Sequence, residues 1–161
     1  SRNLSQINVQ SVILGSPFIR KNSTISHIEL ISRINQIRKI FNEQNITLYM
    51  EALPIEFSDV FNLHQDLIDM NEGLNGGIHV DIATAIGSKE KLSFFVNNIS
   101  SIDRFHFSIP GYGFNFDDFP LSIELLNLFL THNIKGTIEI QNFDSFNLEK
   151  FIDKIYDYKR F

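Results

Sequence analysis

The stretch GGIHVDIATAIG, residues 76–87, decides how the chain folds. Turn-forming and small residues bracket a short apolar run, and inside it His79 and Asp81 alternate with Val80 and Ile82. Successive side chains of a strand point to opposite faces. One face therefore carries an imidazole and a carboxylate while the other is aliphatic. A carboxylate buried on such a strand without a partner is heavily penalised. Asp81 must meet either water or a cation.

The same alternation recurs to either side. Tyr49 and Glu51 oppose Leu48 and Met50. Arg104, His106 and Ser108 oppose Phe105 and Phe107, and Thr137, Glu139 and Gln141 oppose Ile138 and Ile140. Strands of a doubly wound sheet are covered by helices on both faces and read as apolar throughout. A polar inner face beneath an outer ring of helices is the pattern of a barrel. Strands are expected at 7–17, 45–54, 76–83, 102–111 and 135–143, with amphipathic helices at 26–44, 58–73, 88–100, 119–133 and 145–161. Such alternation means parallel strands joined by right-handed crossovers. The first helix opens on a capping box, Ser26 with Glu29, and lines up Ile28, Ile31, Ile34, Ile37, Ile40 and Phe41 as its apolar face. Ser58 and Gly73 are the expected caps of the second. The fold class is α/β: about five βα units, the C-terminal part of a (β/α)8 TIM barrel, strands 4 to 8, forming one partial domain over 1–161. The outermost strands would have bare edges.

Composition narrows the function classes. The chain has 161 residues, 43% hydrophobic and 20% charged, with 16 Phe to fill a core. It has no cysteine, which excludes disulfides and thiolate metal sites. A net charge of −5 disfavours a nucleic-acid partner. No apolar run reaches the ~18 residues of a membrane span and no signal peptide opens the chain, so a cytoplasmic location is expected. A start at Ser1 and only five βα units read as a piece of something longer. The expected protein partner is the missing N-terminal half of the barrel or a second copy.

Four strands in succession end in a metal-capable residue: Glu51, Asp81, His106 and Glu139. In a barrel those ends converge on one mouth. Three carboxylates brought together raise one another's pKa, and a divalent cation relieves the repulsion. Oxygen donors with one imidazole suit Mn2+, Mg2+, Co2+ or Zn2+.

With these residues the chain resembles the xylose-isomerase-like barrels, specifically the sugar and sugar-phosphate isomerases and epimerases related to tagatose and psicose 3-epimerases. YMEALP, HVDIAT, RFHFS and GTIEIQ are similar to the family's four ligand-bearing strand ends, at intervals of 30, 25 and 33 residues, and VILGSPFIR is similar to its strand-4 segment. The resemblance implies a metal held by Glu51, Asp81, His106 and Glu139. It further implies Glu51 and Glu139 as the two catalytic bases that pass a proton through an enediolate, and substrate contacts at Ser16, Thr84 and Arg20, the last being otherwise a surface residue at a helix entry. The implied partner is a small sugar or sugar phosphate. Thr84 stands where the family usually has His, and Tyr112 where many epimerases have Arg. Those departures suit an alternative, a non-catalytic homologue with an eroded substrate shell. A third reading is a metal-dependent hydrolase like the abasic-site endonucleases. The loop GYGFNFDDFP offers it Asp117 and Asp118 but lacks the family's Asp-x-His.

The remaining polar residues have plainer expectations. His79 is a hydrogen-bonding residue of the barrel interior, Arg104 pairs with an interior carboxylate, and His132 is structural on the opposite rim. His27 and His64 are exposed on helices.

Overall fold

The computed structural model describes residues 8–15, 24–71, 77–107, 120–139 and residue 153. The described residues form five strands: β1 (Ser11–Leu14), β2 (Thr47–Met50), β3 (Ile78–Asp81), β4 (Ile102–Phe107) and β5 (Lys135–Ile138). The helices between them are α1 (His27–Asn42), α2 (His64–Asn71), α3 (Ile82–Gly87), α4 (Leu92–Asn97) and α5 (Pro120–Thr131). A 3-10 turn at Ile99–Ser101 leads into β4. The closing helix expected over 145–161 lies outside the described residues except for Asp153, which is helical. Gly73, Ser108, Tyr112, Asp117, Asp118 and Gln141 also lie outside them.

Every strand pair is parallel, β1 with β2 and β3 with β4 and β5. The described strands make two sheets rather than one continuous wall, in the orders β1-β2 and β3-β4-β5. β2 runs beside β3 without a ladder between them. Asp103 crosses this seam at the N-terminal end of the strands: its Oδ2 accepts from the Gly77 amide at 2.8 Å and from the Tyr49 hydroxyl at 3.3 Å. Among the described residues β1 and β5 each pair on one side only, and all four residues of β5 are exposed.

The core lies between the sheets and the helices. Phe95, Phe105, Phe107, Phe129, Ile82 and Leu125 form its largest part, continuous with Leu30, Ile34, Met50, Phe61 and Leu67. The Phe105 ring lies against Gly136, where an added Cβ would collide with it. Glycine is what lets β5 lie this close to it. No helix among the described residues is long and apolar enough to cross a membrane.

Several expected boundaries shift. Ser26 caps α1 as its spacing implies, its hydroxyl accepting from the Glu29 amide at 3.2 Å. The Glu29 carboxylate, however, turns forward to Arg33 at 2.7 Å. Only part of the isoleucine stripe of α1, Ile34 with Ile31 beside it, faces the core. Leu30, Ile34 and Arg38 are buried, while Ile28 is 82% exposed and Ile40 53%. Steps of three residues fall about 60° short of a turn, so the stripe winds around the helix, whereas steps of four keep to one side.

The second helix starts at His64 rather than Ser58. The Ser58 hydroxyl instead bonds the Val60 carbonyl, Asn62 donates to the Leu53 and Ser58 carbonyls at 2.9 Å each, and Phe61 takes a positive φ of 57° that no right-handed helix admits. The third strand ends at Asp81, two residues early, because Asp81 caps a helix that begins at once.

Candidate metal centre

The strand register brings the site together. Asp81 stands opposite His106, and His106 opposite Thr137. One step beyond the strands, the Glu139 amide donates to the Phe107 carbonyl at 3.0 Å and the Glu51 amide to the Leu14 carbonyl at 3.3 Å. Each glutamate therefore sits on the last rung of its ladder, at the C-terminal end of the parallel strands.

His106 is the hub. Its Nδ1 lies 3.2 Å from Asp81 Oδ2 and 4.0 Å from Glu51 Oε1, and its Nε2 lies 2.9 Å from Glu139 Oε2. Glu51 and Glu139 thus approach opposite nitrogens of one ring. The other Asp81 oxygen accepts from the Thr84 amide at 2.7 Å, as the N-cap of α3. Asp81 is both the cap that starts a helix and the partner of a cation, which answers the question its burial raised. Gly15 makes room for Glu51, since a Cβ there would stand 2.0 Å from Glu51 Oε2.

The charges follow from this packing. Hydrogen bonds to Asp81 and then to Glu51 push His106 up to about 10, against the opposing effect of burial. Burial is the largest influence on Asp81 and raises it. The hydrogen bonds from His106 and the Thr84 amide outweigh burial and hold the carboxyl below its usual range. Without a metal the site is an imidazolium gripped by carboxylates.

His79 is the residue that sequence reasoning undervalued. It is 2% exposed, stacks on His106 with ring centroids 6.4 Å apart, and neither ring nitrogen has a hydrogen-bond partner among the described residues. Burial, and then the charge of His106, lower it to about 4, so it is neutral near pH 7. The expected interior hydrogen-bonder makes none among the described residues. Glu51, His79 and His106 each offer a donor atom within 4.8 Å of the other two, a group that could hold a metal ion. This group shares Glu51 and His106 with the set expected from sequence. It takes His79 where that set has Asp81 and Glu139, each already bonded to His106. The signal for His79 was present in the alternation, which put it on the same face as Asp81 one step deeper.

Of the expected substrate contacts, Ser16 and Arg20 lie outside the described residues, and Thr84 is buried in the first turn of α3. His27 is exposed, as expected, with its ring edge-on to Phe61, and His132 is exposed too. His64 is a correction: it is wholly buried, because both ring nitrogens are engaged. Arg104 stands beside the Tyr49 hydroxyl. It also lines a cavity of about 360 Å³ with His79, Lys135 and Thr137.

No protein-family model matches the chain, and no curated protein matches it by sequence. Among solved structures it is similar to the apo crystal structure of 3-keto-D-glucoside 4-epimerase, YcjR, from E. coli, with a TM-score of 0.63 at 13% identity. The match covers 98% of this chain but 66% of that one. At this identity the likeness shows the fold alone, a parallel α/β architecture similar to that of a TIM-barrel epimerase.

Proposed function

We propose that the chain carries the metal site of a sugar or sugar-phosphate isomerase or epimerase, built on the C-terminal five units of a (β/α)8 barrel. The observation that carries this reading is the convergence of three carboxylates, Glu51, Asp81 and Glu139, from strand ends onto the imidazole of His106 at the end of a fourth. The fold of a carbohydrate epimerase supports it.

The residues fit a divalent cation. Oxygen donors with one or two imidazoles suit Mn2+, Mg2+, Co2+ or Zn2+, and the buried nitrogens of His79 lack any other partner among the described residues. Glu51, Asp81, His106 and Glu139 are the holding set, with His79 as a further nitrogen donor. When bound, the cation would polarise a carbonyl and the neighbouring hydroxyl of a sugar.

The chain's own groups do the rest. Glu51 and Glu139, on opposite sides of His106, take and return the proton of the carbon between those oxygens. A base on each face is what inversion of one carbon requires. Glu139 is the more open of the two, with 44% of its side chain exposed against 18% for Glu51.

Two measurements test this. The protein should bind one Mn2+ or Zn2+ per chain by calorimetry. In the whole protein, Glu139→Gln should slow exchange of a ketose α-proton with solvent by about 10²–10⁴-fold, the usual worth of a general base. Unchanged exchange in a folded variant removes Glu139 from that role.

A further inference from the structure

A second buried constellation lies directly behind the cluster. His64, the first residue of α2, is 0% exposed, and the Glu90 side chain, from the loop after α3, is 8% exposed. Glu90 grips His64 twice: Oε1 accepts from the His64 amide at 2.9 Å, and Oε2 lies 2.5 Å from Nδ1. The first bond satisfies an amide that the start of α2 leaves without an intrahelical partner. On the far side of the ring, Nε2 accepts from the Asp81 amide at 3.2 Å. A nitrogen that accepts carries no proton, so the proton sits on Nδ1 and is donated to Glu90. Phe95 closes the ring in, edge-on, at 5.5 Å.

This arrangement has a directional consequence. The Asp81 amide is the last donor of β3, at the residue where strand becomes helix, and it goes to the His64 ring. Both Asp81 oxygens are aimed from that one backbone position, Oδ1 at the Thr84 amide and Oδ2 at His106. We propose that His64, locked by Glu90 in its Nδ1–H tautomer, is a positioning residue for Asp81, fixing the backbone from which the carboxylate reaches the cation site. The inference rests on the reading of Asp81 as a cation ligand. Partners of this outer kind are worth about 10–100-fold in metal affinity.

The neutral carboxamide of Glu90→Gln is the sharpest probe, because its NH2 can donate to Nδ1. His64 would then carry its proton on Nε2 and present a donor to the Asp81 donor. The test combines ¹⁵N NMR of the His64 ring with calorimetric Mn2+ binding, and far-UV circular dichroism as the check on folding. The metal-free wild type should show the Nδ1–H form. Glu90→Gln should weaken Mn2+ binding at least about tenfold. His64→Gln, whose side-chain oxygen can still accept the Asp81 amide, should retain more affinity than His64→Leu, which cannot accept.

An Nε2–H wild-type ring overturns the proposal whatever the variants do. So does wild-type Mn2+ binding matched by folded Glu90→Gln, or equal affinities for the Gln and Leu variants. A wild type with the Nδ1–H ring that binds no Mn2+ overturns the cation reading of the cluster itself, and with it the role given to His64.

Discussion

At the scale of the residue, the cluster is organised by a proton. His106 carries one up to about 10 because carboxylates surround it, and the unfolded chain would release that proton near 6.5. A group whose folded pKa is raised stabilises fully below its unfolded value and loses that contribution as pH climbs through the folded value. Asp81, depressed by the same contact, contributes above its unfolded value of about 3.9 and loses it as pH falls. The metal-free protein should therefore gain most from this pair between about pH 4 and 6.5. The advantage of wild type over His106→Asn in thermal midpoint should shrink from pH 7 to 10, and an advantage that grows over that range would contradict the charge assignment. The four residues of this cluster were legible because strand alternation aims polar side chains at one face. His79 lay on that face too, but an imidazole on a strand looks the same whether it is bonded or bare. The buried state of His64 was not legible at all, since its partner Glu90 lies 26 residues away.

At the scale of the element, Asp81 separates two roles that one carboxylate performs. Asparagine can cap a helix as aspartate does, whereas alanine cannot. Asp81→Ala should therefore be less stable than Asp81→Asn by about 1 kcal/mol in denaturant unfolding, the worth of the α3 cap. Both variants should lose the contact to protonated His106 alike. Equal stabilities would mean that α3 starts without help from residue 81. This helix also shows why boundaries were harder to read than elements. IATA is apolar and short, so it extends a strand as readily as it begins a helix, and only a hydrogen bond from the Thr84 amide decides. The late start of α2 has a similar origin in side-chain bonds of Ser58 and Asn62 to nearby carbonyls. The stripe on α1 faces the core only in part for a geometric reason, a repeat of three in a helix whose neighbours stack at four.

At the scale of the whole molecule, the order of elements and their parallel pairing followed from alternation of strand and helix, because a crossover helix leaves a strand no other direction. The break between β2 and β3 did not, since their side chains alternate as those of the paired strands do. That break gives the candidate site an unusual foundation. Glu51 stands on one sheet, and Asp81, His106 and Glu139 stand on the other. The seam between them is fastened at two ends, below by the Tyr49 hydroxyl on Asp103 and above by the charges around His106. Two fasteners on one seam share its free energy: whatever holds one end shut lowers the cost of closing the other, and the influence runs equally both ways. Tyr49→Phe, a change at the far rim, should accordingly weaken Mn2+ binding by up to about tenfold, the full worth of one hydrogen bond. Saturating Mn2+ should in turn raise the thermal midpoint of that variant less than the wild type's. A variant that binds as tightly as wild type would show that the two sheets are held rigid by the core, and that the ends of the seam do not communicate. If they do, the grip of the upper rim is set partly by a tyrosine that never touches the ion.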